Sequence, residues 1–151
     1  MMIDFPPIAE LVPHAAPMLL LDRIVESGDD YLITELTVRA DGLFDFEGSV
    51  PALLGLEYMA QSIAAFSGLR AYRSGENIKM GFLLGTRRYE SNVHNYPTGD
   101  ILRVTAKEIV YGDTGMAAFE CKVQGLQVLQ TAVLTVFEPA DQASLTGIIG
   151  P

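Results

Sequence analysis

Apolar and polar positions along the chain follow two different periods. Between residues 31 and 38, Leu32, Thr34, Leu36 and Val38 alternate with Ile33, Glu35 and Thr37, the two-residue period of a strand. Residues 18–26 are also strand-like, and Ser27-Gly28-Asp29-Asp30 supplies a turn between the two segments. Strand patterns return after Ser74-Gly75. Residues 78–93 predict one long or two shorter strands, and Pro97-Thr98-Gly99-Asp100 predicts a turn into a strand over 101–111. The hairpin signal Gly112-Asp113-Thr114-Gly115 leads into 116–123, where Phe119, Cys121 and Val123 face away from Glu120 and Lys122. Gln124-Gly125 then turns the chain into a last strand over 126–137.

Residues 51–70 break this rhythm. They are rich in Leu, Ala and Met, with Pro51 at the start and Gly68 near the end, which predicts a helix capped by Ser49. Leu53, Leu56, Ala60, Ile63 and Ala64 form one apolar stripe, and Leu54, Tyr58, Ala65 and Phe66 make the reverse side hardly more polar. A helix apolar nearly all round is buried on more than one side, and a curved sheet wrapped around it achieves that. A short helix over 8–11, bounded by Pro6-Pro7 and Pro13, precedes the strands. The expected architecture is a single α+β domain over 1–151, one long central helix wrapped by an antiparallel sheet. The tail 139–151 has no periodicity and is expected to be poorly ordered.

With 49% hydrophobic against 19% charged residues, the chain can fill a core and is not of the disordered class. The net charge of −9 argues against a nucleic-acid partner, which requires basic surface to neutralise phosphates. One cysteine excludes an internal disulfide, and two histidines exclude a three-histidine metal site within the chain. No metal or cofactor is expected. The first ten residues lack the basic and apolar regions of a secretory signal, and the apolar runs are interrupted before the roughly 18 residues of a membrane span. A cytoplasmic location is the expectation.

Three motifs sharpen this outline. Val12-Pro13-His14-Ala15-Ala16-Pro17-Met18-Leu19-Leu20-Leu21-Asp22-Arg23 resembles the entry segment of bacterial β-hydroxyacyl-acyl-carrier-protein dehydratases. Pro51-Ala52-Leu53-Leu54-Gly55-Leu56-Glu57-Tyr58-Met59-Ala60-Gln61 is similar to the start of their central helix, and Pro97-Thr98-Gly99-Asp100-Ile101-Leu102 to their turn into the following strand. The resemblance covers roughly residues 8–138 and implies the hotdog fold. Glu57-Tyr58-Met59-Ala60-Gln61 following Gly48-Ser49-Val50-Pro51 resembles most closely the dehydratase-like proteins of aryl-polyene gene clusters.

Dehydration of a 3-hydroxyacyl thioester needs a base for the α proton, an acid for the departing hydroxyl, and dipoles for the charge that grows on the thioester oxygen. The resembled family uses a loop histidine and a helix carboxylate that meet across a dimer interface, with a backbone N–H at the helix start on the thioester carbonyl. Carried over by position, the carboxylate is Glu57 and the N–H is that of Ala52. The loop histidine falls on Leu43, which cannot move a proton. Glu57 reads either as an ordinary solvated helix residue or as an active-site carboxyl; so apolar a helix favours the second with burial, which would raise its pKa. Gln61, one turn on, either hydrogen-bonds Glu57 or simply packs. His14 reads either as a packed or capping histidine or as the substitute for the missing base. His94 is expected in an exposed loop or at a strand end, and Cys121 in the core.

Charge is unevenly distributed. Residues 70–88 carry Arg70, Arg73, Lys79, Arg87 and Arg88 against Glu76, a net of 5 − 1 = +4, whereas residues 1–57 carry 11 acids against Arg23 and Arg39, a net of −9. Arg70, Arg73, Arg87 and Arg88 are thus candidates for docking an acidic acyl carrier protein or a CoA thioester, against the alternative of an ordinary solvated surface. The resemblance implies a homodimer or a heterodimer with a related hotdog protein. It implies dehydratase-like action on carrier-bound 3-hydroxyacyl chains in fatty-acid or polyene-type biosynthesis. Two alternatives stand beside it: a hotdog thioesterase, and a noncatalytic acyl-binding subunit that pairs with an active dehydratase.

Overall fold

A computed structural model describes residues 4–139. A 3-10 turn at Ile8–Glu10 is followed by β1 (Arg23–Ser27), β2 (Tyr31–Thr37), β3 (Ser49–Pro51), α1 (Gly55–Arg73), β4 (Phe82–Ser91), β5 (Asn95–Pro97), β6 (Ile101–Tyr111), β7 (Met116–Gln124) and β8 (Leu129–Phe137). Six strands form one antiparallel sheet in the order β1-β2-β6-β7-β8-β4, and β3 pairs with β5 in a separate two-stranded sheet. The long helix packs against β2, β6, β7 and β8, which is the hotdog arrangement.

The alternating positions land as the period requires. Leu32, Thr34, Leu36 and Val38 are buried on one face, as are Phe119, Cys121 and Val123. Tyr58, Met59, Ser62, Ala65, Phe66 and Leu69 of α1 are buried with them. The polar members of this core are satisfied: the Thr34 and Ser62 hydroxyls lie 2.8 Å apart, and Ser62 also donates to the Tyr58 carbonyl. The second stripe, with Leu56, Ala60 and Ala64, is only half-buried, and Leu53 is exposed. One helix face therefore meets the sheet, while part of the other lines open space.

Four boundaries differ from the sequence expectation. Residues 18–22 are not strand, because side chains capture their backbone groups. Gln61 takes the Leu20 N–H and the Met18 carbonyl, and Arg39 takes the Pro17 and Leu19 carbonyls. Ser49 does not cap the helix. It pairs with Pro97 in β3–β5 and its hydroxyl donates to the Phe46 carbonyl, while a 3-10 turn at Ala52–Leu54 leads into α1. The helix runs on to Arg73 rather than ending at Arg70, with Gly68 inside it. A Cβ at Gly68 would collide with the Leu11 backbone carbonyl, so this glycine lets the N-terminal segment cross the helix in close contact. The fourth long strand begins at Phe82 rather than 78 and forms an exposed edge. The expected disorder of the tail after Pro139 lies outside the described residues. Among those residues, no helix is long and apolar enough to cross a membrane.

Candidate active site

Glu57 sits in the first turn of α1, and His14 sits in the segment that Gly68 admits against the same helix. The structure brings the two together: His14 Nε2 lies 3.6 Å from Glu57 Oε1. Gln61 organises this meeting. Its carboxamide is fully buried and donates to Glu57 Oε1 at 3.0 Å and to the Met18 carbonyl at 2.8 Å, while its Oε1 accepts the Leu20 N–H at 2.9 Å. One side chain thus fixes both the carboxylate and the strand of chain that delivers His14. Of the two readings of Gln61, the hydrogen-bonding one holds, and it includes packing.

Glu57 is not buried as expected. Its side chain is 39% exposed and that of His14 29%, because the half-buried helix stripe borders a groove rather than a second sealed face. His14 Nδ1 is itself buried and has no hydrogen-bond partner, so the ring is not held from both sides in the way of a structural histidine. The groove that receives the pair has a cavity volume of about 230 Å³ and opens to solvent. Pro13, Ala60, Ile63, Ala64, Phe82 and Leu83 give it an apolar lining. An apolar lining of this kind suits a hydrocarbon chain. A titratable pair at the mouth of such a groove can take a proton from one carbon and deliver one to a neighbouring oxygen.

The backbone N–H of Ala52 corrects another expectation. It donates to the His94 carbonyl at 2.9 Å and is therefore engaged within the protein, not presented to a thioester. The Ala52 carbonyl is held as firmly, by the Tyr96 hydroxyl at 3.1 Å and the Gln130 carboxamide at 2.8 Å. These contacts follow from β3 pairing with β5, which lays the turn before α1 against residues 94–96. Tyr96 and Gln130 are fully buried, and burial drives the Tyr96 hydroxyl well above its ordinary pKa. Tyr58, stacked on Tyr96 with ring centroids 5.8 Å apart, is pushed up to about 12 by the same cause.

Leu43 is 40% exposed, in the loop before β3, where it offers no proton-transfer group. His94 is exposed at the start of β5 and contributes its carbonyl, not its ring, to the helix start. Cys121 is in the core, and burial raises its thiol to about 12. Among the described residues no three His, Cys, Asp or Glu side chains converge as a cation cage would require.

The four arginines do not form one patch. Arg70 pairs with Glu108 at 3.2 Å and lies 4.5 Å above the Phe66 ring, and Arg73 donates to Ser27 at 3.3 Å. Arg87 and Arg88 project from β4, the sheet edge, and have no ion pair among the described residues. The site also uses residues that sequence reasoning did not single out. Arg39 anchors the segment after His14, and Ser67 hydrogen-bonds Glu138 farther along the groove. Neither carried a local signal, since each works through partners far away in sequence.

Comparison with known proteins gives a consistent result. The family model ApeP-like, described as ApeP dehydratase, matches residues 6–147. The 3-hydroxyacyl-acyl-carrier-protein dehydratase FabZ of Pseudothermotoga lettingae is 36% identical over 140 residues, covering 85% of this chain and 91% of that protein. The FabZ of Bartonella quintana is 27% identical, with 92% of each chain covered. Among solved structures, the dehydratase heterocomplex ApeI:P from Xenorhabdus doucetiae superposes with a TM-score of 0.88 at 26% identity, covering 98% of this chain and 100% of the matched one.

Proposed function

This chain belongs to the ApeP-like dehydratase family, and from that premise we propose that it acts on 3-hydroxyacyl thioesters carried by acyl carrier protein, with Glu57 and His14 as its proton-transfer pair. The observation that carries the proposal is the 3.6 Å approach of His14 Nε2 to Glu57 Oε1 at the mouth of an apolar groove. Dehydration requires a neutral imidazole and a protonated carboxyl from the pair. The imidazole takes the proton from the carbon next to the thioester, and the carboxyl protonates the hydroxyl that leaves as water. Distances of this kind shorten when substrate fills a site, so 3.6 Å is compatible with that role. The groove takes the acyl chain. Gln61 orients Glu57 and touches no substrate atom, which makes it a positioning residue.

A carrier-bound substrate fits a cytoplasmic site of action and an acidic docking partner. Arg87 and Arg88 are the cations left for that docking, since Arg70 and Arg73 are engaged within the protein. Two observations favour a second reading, in which the chain completes a heterodimer with a histidine-bearing hotdog protein. By the motif resemblance Leu43 falls on the position of the dehydratases' loop histidine, and the Ala52 N–H is already used.

One experiment separates the readings. The purified chain is incubated with a 3-hydroxyacyl-carrier-protein thioester, alone and mixed with a histidine-bearing homologue, and loss of water is followed. Activity alone, reduced about 100-fold or more by Glu57→Gln, supports the His14–Glu57 assignment. Activity only in the mixture supports the heterodimer. No water loss in either removes the catalytic claim.

A further inference from the structure

Two cavities lie end to end along α1 and share one wall. The first begins at His14 and Glu57 and is lined mainly by apolar side chains. The second, of about 200 Å³, continues past Phe66 and Arg70 towards Ser74 and Tyr111. Both are bounded by Ile63, Ser67, Lys79, Val136 and Glu138. At this shared wall the Ser67 hydroxyl donates to Glu138 Oε2, joining the helix to the residue that follows β8. Glu138 is held from behind as well, because its backbone N–H donates to the Gly115 carbonyl at 2.9 Å. Lys79 at the same wall is half-buried and lies 4.0 Å from Glu76.

We infer that the Ser67–Glu138 hydrogen bond is a barrier across the groove that sets the length of acyl chain the site accepts. The inference rests on the proposed function, since it takes the groove to hold the chain of an acyl thioester. Each methylene that moves in beside Ala60, Ile63 and Ala64 leaves water for an apolar wall and tightens binding. At Ser67 that gain stops. A longer chain has to separate the hydroxyl from the carboxylate and press hydrocarbon against both, which leaves polar groups without partners in a confined space. Ser67 follows Glu57 by ten positions, about 15 Å along the helix, so an extended chain lying along α1 reaches the barrier about a dozen carbons beyond the reacting centre. The second cavity provides room for longer chains only once the barrier is open.

The test uses saturated acyl-pantetheine amides of increasing chain length, which neither dehydrate nor hydrolyse, with binding to the full chain measured by calorimetry. For the unsubstituted protein, Kd is expected to fall about fourfold per added methylene until the chain reaches Ser67, and then to level off or rise. In Ser67→Ala and Glu138→Ala the fall continues through longer chains, whereas Ser67→Thr, which keeps the hydroxyl, retains the break. A break at the same length in both opened variants, or no break in the unsubstituted protein, overturns the barrier. Ser67→Ala removes one partly buried hydroxyl from a helix and carries the test if Glu138→Ala fails to fold. Absence of binding at every length overturns instead the acyl-thioester reading on which the barrier depends.

Discussion

Gln61 shows how much one buried side chain can organise. A carboxamide has two donor hydrogens and one acceptor oxygen, and here all are engaged: the donors serve Glu57 and the Met18 carbonyl, the acceptor serves the Leu20 N–H. Gln61→Leu keeps the bulk and loses every one of these bonds. The Leu20 N–H would then lie buried without an acceptor, at a cost of about 1–3 kcal/mol. We expect the unfolding free energy from urea titration to fall by that amount, together with a fall in activity larger than the loss of folded protein explains, because Glu57 and the His14 segment both lose their anchor. Activity falling only in proportion to stability would show that Gln61 packs without positioning.

At the scale of elements, the site depends on how closely the N-terminal segment crosses α1. The crossing is made at Gly68, so Gly68→Ala sets two effects against each other. Alanine favours the helix by up to about 1 kcal/mol, whereas a Cβ against the Leu11 backbone is overpacking of about 1–3 kcal/mol. The obstacle is backbone and cannot rotate away, so the second effect wins. A lower melting temperature and weaker dehydration are expected, and a melting temperature at or above that of the unsubstituted chain would contradict the crossing. Local pattern explains why the strands and the helix were readable from sequence. Alternation in 31–38 and 116–123 directly encodes one buried face, and 51–70 has the composition of a helix. The helix start was misread because Ser49 and Pro51 look like a cap and a first turn, while long-range pairing with residues 95–97 makes them a strand. Glu57 and Gln61 were legible through their helical spacing and the family resemblance. The nearness of His14 was not, since it comes from Gly68, Gln61 and Arg39 acting on a segment more than 20 residues away from each of them.

The whole molecule combines a cooperative β core with a site assembled from two distant parts of the chain. Cys121, on β7 at the centre of the sheet, reports on that core. Burial lifts its thiol to about 12, and the thiolate is the reactive form, so alkylation at neutral pH is expected to proceed only as fast as the protein unfolds. Rapid labelling under native conditions would mean that the sheet opens locally around β7. The proposed proton transfer, too, belongs to the assembled molecule, because His14 and Glu57 meet only when the N-terminal segment is docked on α1. The most direct measurement is therefore a double-mutant cycle on dehydration of a 3-hydroxyacyl-carrier-protein thioester, with His14→Asn, Glu57→Gln and the pair combined. Groups that act as one unit give losses that do not multiply. The expected result is a fall of about 100-fold or more in each single variant, with the double variant no worse than the poorer single one. Full activity in His14→Asn, or losses that multiply in the double variant, would show that the two residues do not form a single proton-transfer pair.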